Sequence, residues 1–178
     1  MFHDLGKPQT FSTDEKGIGH FYSHAIVSAE QTQSILRRMK FDNKTIDAVS
    51  ELVKYHDAQM DTTKKSVKRW LHKIGQEQLE RLLWVKEADV KTTVYAQEKM
   101  HHIQQIRDAL SVVLAENACF SLKDLAISGN DLISLGISEG KLVGTILQTI
   151  LDLVIDGALS NQKEDLLAFA AQEYKKIS

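Results

Sequence analysis

Cysteine and proline are almost missing from this chain of 178 residues, each occurring once, as Cys119 and Pro8. A single thiol excludes an internal disulfide and a cysteine-built zinc cluster, and it suits the reducing cytoplasm in which the chain is expected to work. A single proline leaves nearly every stretch free to run as helix. An excess of one charge is lacking too. Lys and Arg number 22 against 24 Asp and Glu, a formal net charge of -2, so any RNA-binding surface must be local. No apolar run approaches the ~18 residues of a membrane span, and no basic-then-apolar leader opens the chain, so no membrane association is expected. What is present is ordinary: 43% hydrophobic and 26% charged residues, enough for one globular domain or a domain with a helical annex.

The apolar residues recur with helical spacing, so the chain reads as all-α, with no strand predicted. Residues 1–6 read as the end of a helix broken by Gly6, Lys7 and Pro8, followed by a polar loop to about Gly19. A helix is expected over 24–40 with Val27, Ile35, Leu36 and Met39 on its apolar side. Asp42 is a candidate cap for the next helix, in which Ile46, Val49, Val53 and His56 advance by helical steps and put His56 on the buried stripe, Asp57 beside it. Thr62 or Thr63 opens a helix carrying Val67, Trp70, Leu71 and Ile74, and Gly75 closes it. In the following helix Leu79, Leu82, Leu83 and Val85 form the stripe, on which Asp89 also falls, facing inward.

A longer helix is expected to about Asn117, with Ile103, Ile106, Leu110 and Val113 on one side. There the pattern breaks, which divides the chain into a body, 1–117, and a smaller helical tail, 118–178. In the tail Ser121 is a candidate cap, and an apolar helix spans 141–156 until Gly157 stops it. Gly144 inside that helix costs about 1 kcal/mol relative to alanine, for which a close helix–helix approach is the expected compensation. Ser160 or Asn161 opens the last helix, carrying Leu166, Leu167, Phe169 and Ala170.

Chemistry concentrates in His3 and Asp4, His20 and His24, His56 and Asp57, and Asp89. Imidazole and carboxylate together suit divalent zinc, manganese, iron, nickel or magnesium, and a carboxylate beside a histidine can bridge two ions. A bound ion lowers the pKa of its water toward neutrality, and a second can hold a phosphate oxygen. A carboxylate on an apolar stripe is costly unless paired or bound to metal. Each residue has a plainer reading as well: a buried histidine satisfied by hydrogen bonds, or Asp89 as a helix cap or the partner of an Arg or Lys.

The stretch HDLGK resembles the signature of the HD superfamily of metal-dependent phosphohydrolases, built from an upstream His, the HD pair, further histidines and a distant Asp. That resemblance implies His3, Asp4 and Asp89 as ligands of a first metal, with His24 and His56 extending the site to a second and His20 and Asp57 less certain members. It implies Lys7 as a catalytic partner of Asp4 that meets a phosphate. The superfamily's first histidine lies upstream of the HD pair, where this chain has no residue, so water, a neighbouring chain or His20 would take its place.

Together, HDLGKPQTF, GIGHFYSHAIVSAE, ILRRMKFDNKTID and LVKYHD resemble the HD region of bacterial CCA-adding tRNA nucleotidyltransferases. CFSLKDLAISGNDLISLGISEGKLVG and DGALSNQKEDLLAFA resemble their C-terminal tRNA-binding segment. In that family a nucleotidyltransferase head precedes this point, so Met1 reads as an internal start, and CCA addition is not expected of the chain itself. The resemblance implies an HD helical bundle with a tRNA-binding tail, a divalent cofactor (Mg, Mn, Ni, Fe or Zn), and hydrolysis of a phosphate ester such as a 2',3'-cyclic phosphate, a phosphomonoester or a nucleotide. The alternative is a catalytically silent tRNA-binding or assembly module, with apolar surface pairing two chains as a homo-oligomer.

Lys64, Lys65, Lys68, Arg69 and Lys73 follow one another without an intervening acid, with Trp70 among them. They can track tRNA phosphates, or simply form a solvated helix face with Trp70 turned inward. Arg37, Arg38, Lys40 and Lys44 make a second such stretch.

Overall fold

The computed structural model describes residues 2–90, 96–116, 118–138 and 140–177. It is mostly helical, as expected. The elements are α1 (Lys7–Thr10), β1 (Phe11–Thr13), β2 (Gly19–Phe21), α2 (His24–Arg38), α3 (Asn43–Tyr55), α4 (Lys64–Ile74), α5 (Gln76–Val90), α6 (Ala96–Ala115), a 3-10 turn at Leu122–Asp124, α7 (Gly129–Ser134), α8 (Lys141–Ile155) and α9 (Lys163–Ile177). No helix among the described residues is long and apolar enough to cross a membrane.

Two compact units are present: residues 1–60 with 76–104, and residues 61–75 with 105–178. In the first, α2 packs along α3, α3 on α5, and α1 on α2. Leu36, Ile46, Val53, Leu79, Leu82 and Leu83 are buried there. The second buries an apolar cluster built on α8, whose Val143, Ile146, Ile150, Leu151, Val154 and Ile155 meet Leu132, Ile137, Leu166 and Ala170.

Caps set the helix limits where the side chains predict them. Asp42 accepts from the Thr45 backbone N–H to open α3, and Thr63 from that of Ser66 to open α4. Gly75, at φ 77°, lets the chain leave α4. The α4 and α6 stripes are buried at Val67, Leu71, Ile103, Ile106, Leu110 and Val113.

Five local expectations fail. The loop after residue 10 contains a two-stranded antiparallel hairpin, Phe11 pairing with Phe21 and Ser12 with His20. Its strands are only three residues each, too short for a period-two pattern to stand out. Pro8 stands in the first turn of α1 instead of breaking a helix, because its missing N–H needs no partner there. Gly144 approaches no other helix: a Cβ placed there would meet nothing within 4 Å. Asn161 does not open α9; its side chain ties the 3-10 segment instead, accepting from the Ala126 N–H and donating to the Asp124 carbonyl. Met39, placed with the apolar side of α2, ends it and is 59% exposed.

Candidate metal centre

Glycine at position 6 lets the His3–Asp4 turn reach the first turn of α2. A Cβ there would lie 2.6 Å from the His24 carbonyl oxygen and 2.9 Å from the Ser28 nitrogen. The Gly6 N–H instead donates to Ser28 Oγ at 2.8 Å, a fully buried hydroxyl. On the other side of the site, Ser23 adopts φ 62° and swings the chain sharply from β2 into α2, which delivers His24. His56 ends α3 on its buried stripe, as predicted.

These placements bring Asp4, His24 and His56 together, each offering one ligand atom within 4.8 Å of the others. His24 Nδ1 lies 2.9 Å from the Phe21 carbonyl and His56 Nδ1 lies 2.7 Å from the Val53 carbonyl. A carbonyl only accepts, so each Nδ1 carries the proton and each Nε2 presents its lone pair. The two Nε2 atoms are 3.3 Å apart, with Asp4 Oδ1 3.7 Å from that of His24. Three acceptor atoms thus face one another, with both imidazoles oriented from behind by backbone carbonyls. That donor set fits a divalent cation, for which second-shell carbonyls commonly fix the histidine tautomer.

Burial, the largest influence, pushes the His56 imidazole below its ordinary pKa and so favours the neutral form, which ligates. Partial burial works to raise the Asp4 carboxyl, but the hydrogen bond from Lys7 with the nearby His3, Lys7 and His24 outweighs it and holds Asp4 below the usual range.

His3 Nε2 lies 3.4 Å from both Asp4 Oδ2 and Asp89 Oδ1, which joins Asp89 to the group through His3. Asp89 does not face the core as its place on the apolar stripe suggested. Its side chain is 49% exposed, because it sits near the end of α5 where that helix face opens onto the site. Lys7 Nζ donates to Asp4 Oδ2 at 2.8 Å. Asp57 is exposed. A cavity of about 390 Å³ opens over Asp4, Lys7, His24, His56, Asp57 and Asp89, flanked by Gly19, His20, Phe21 and Tyr22 of the hairpin. His20 lines this cavity but turns its Nε2 to Asp14 Oδ2, at 3.0 Å, away from the other histidines' cluster.

One participant had no sequence signal. Lys86 on α5 reaches the end of α3 and donates to the His56 and Ala58 carbonyls, at 2.7 Å each. Only its place one turn before Asp89 on the same helix could have suggested it.

The basic row of α4 lies within the second unit and is largely engaged there. Arg69 grips Asp156 through Nε and Nη2 at 3.0 and 2.8 Å, Lys65 reaches Asp156 at 3.3 Å, and Lys64 pairs with Glu116. Lys73 lies 4.9 Å from the centroid of the Trp70 ring. Lys68 is half-buried. By contrast Arg37, Arg38, Lys40 and Lys44 are exposed.

Known proteins resemble this chain over most of its length. It is 27% identical over 167 residues to the CC-adding tRNA nucleotidyltransferase of Thermus thermophilus, covering 92% of this chain and 37% of that protein. It is 28% identical over 151 residues to the CCA-adding enzyme of Enterococcus faecalis, covering 82% and 33%. With the A-adding tRNA nucleotidyltransferase of Deinococcus radiodurans it shares 35% identity over 74 residues, 41% of this chain and 17% of that one. The chain therefore spans about a third or less of the length of these relatives. No solved structure matches it. The family model described as tRNA nucleotidyltransferase domain 2 matches residues 9–170, and by that match the chain belongs to this family.

Proposed function

We propose that the chain is an HD-type, metal-dependent phosphohydrolase or phosphodiesterase region of a tRNA nucleotidyltransferase. The observation that carries this reading is the meeting of the His24 and His56 Nε2 lone pairs with the Asp4 carboxylate inside one open cavity. Asp4, His24 and His56 would hold one divalent ion, and His3 and Asp89 would extend the site toward a second. A bound divalent ion supplies Lewis acidity toward a phosphate oxygen and lowers the pKa of a water.

The chain's own groups would do the rest. Lys7, now on Asp4, stands at the cavity and can turn to a non-bridging phosphate oxygen, where positive charge offsets the charge gathering on phosphorus. His3, with its Nε2 between two carboxylates, would hold Asp4 and Asp89 at the site. In the net reaction water forms a bond to phosphorus, the ester P–O bond breaks, and the released alkoxide takes up a proton. Substrates would be 2',3'-cyclic phosphates, phosphomonoesters or nucleotides. Such hydrolysis would accompany the nucleotide addition to tRNA for which the relatives are named.

Metal analysis of the purified chain, with hydrolysis assays on these esters plus and minus manganese, nickel or magnesium, tests the proposal. Bound metal and stimulated hydrolysis are expected, with Asp4→Asn losing both while remaining folded. A metal-free, inert wild-type chain refutes it. A second reading, a catalytically silent tRNA-holding module, draws on the relatives' names and on the exposed Arg37, Arg38, Lys40 and Lys44.

A further inference from the structure

At the mouth of the His–Asp cavity the hairpin presents a flat aromatic surface to solvent. The rings of His20 on β2 and Tyr22, one residue past its end, stack with centroids 5.0 Å and planes 17° apart. His20 is held from behind: Asp14 Oδ2 lies 3.0 Å from its Nε2, while Asp14 Oδ1 accepts from the backbone N–H groups of Lys16 and Ile18. Tyr22 nevertheless leaves 69% of its surface exposed, and both rings line the cavity. A large ring packed on one face and bare in front has a partner to find.

The neighbours say what kind. Lys7 and a donor set suited to a divalent cation stand in the same cavity, so one end of a ligand is anionic. The other end, over Tyr22, meets a π-face. Nucleoside phosphates join a phosphate to a planar heterocycle in one molecule.

We propose that His20 and Tyr22 form a stacking subsite for the base of a nucleoside phosphate whose phosphate enters the His–Asp cavity. Tyr22 touches the base, and His20 with Asp14 positions Tyr22. Stacking tolerates any base, so the subsite selects for the presence of a base rather than its identity. The inference rests on the hydrolytic reading of that cavity for its phosphate end. A free nucleotide and the nucleotide end of an RNA share this chemistry.

Equilibrium binding separates this proposal from turnover. The full chain with manganese is titrated calorimetrically with adenosine 5'-monophosphate, ribose 5-phosphate and a trinucleotide ending in adenosine. Adenosine 5'-monophosphate should bind about tenfold more tightly than ribose 5-phosphate, the size of one base stack. Tyr22→Ala should bring that ratio close to one and Tyr22→Phe should keep it; circular dichroism checks that both remain folded. Tighter binding of the trinucleotide identifies an RNA end as the source, and equal or weaker binding identifies free nucleotide. Equal wild-type affinities for the two monophosphates, no measurable binding of adenosine 5'-monophosphate, or a ratio unmoved in Tyr22→Ala overturns the subsite. A base-dependent ratio without any hydrolysis removes only the hydrolytic reading.

Discussion

The ammonium of Lys86 does for α3 what a C-terminal cap does, donating to the His56 carbonyl at the helix end and to that of Ala58 just beyond it, on either side of Asp57. Burial pushes its pKa down, against the pull of Asp57 and Asp89, so the cation is kept where it is wanted by its bonds to oxygen. Lys86→Met should leave two carbonyls poorly satisfied at a cost of about 1–3 kcal/mol and let His56 drift. Metal affinity should fall roughly tenfold, the usual effect of losing a group that orients a ligating histidine, and Lys86→Arg should recover most of it. Thermal melts with a manganese titration check this. No pattern in the chain pointed to Lys86, because its partners are backbone atoms some 30 residues away. His56, by contrast, was legible from its stripe, since a helix face is a local property.

Within elements, α8 and α9 carry two consequences. Gly144 is exposed with free space around the missing Cβ, so nothing compensates its helix penalty. Gly144→Ala should therefore stabilise the chain by about 1 kcal/mol, read as a raised denaturation midpoint. Asp131 joins α7 to α9, accepting from Lys163 Nζ at 2.7 Å and from the Ser128 N–H and hydroxyl at 2.8 Å each. Those bonds, Lys163 first, hold its carboxyl well below the usual range. A lowered folded pKa means that the stabilisation is complete above the ordinary carboxylate value of about 4 and is lost as the pH falls below it. Asp131→Asn should lower the melting temperature at neutral pH and flatten its decline between about pH 5 and about pH 2, measured by melts across that range.

For the molecule as a whole, a net charge of -2 makes RNA affinity a matter of which cations remain available. Arg69, Lys65 and Lys64 are already held by Asp156 and Glu116, whereas Arg37 and Arg38 are exposed. If the chain holds tRNA, reversing Arg37 and Arg38 to Glu should weaken low-salt binding, and flatten its dependence on salt, more than the same change at Lys65 and Arg69. Filter binding across a salt series measures this. Helix content, most helix limits and the membership of the buried stripes followed from the sequence itself, because spacing and capping act between residues a few positions apart. The convergence of Asp4, His24 and His56, the outward turn of Asp89, the capture of His20 by Asp14 and the clamp from Lys86 were decided only by tertiary structure. They depend on close approaches, such as Gly6 against the first turn of α2, between segments whose separation along the chain carries no information about distance in space.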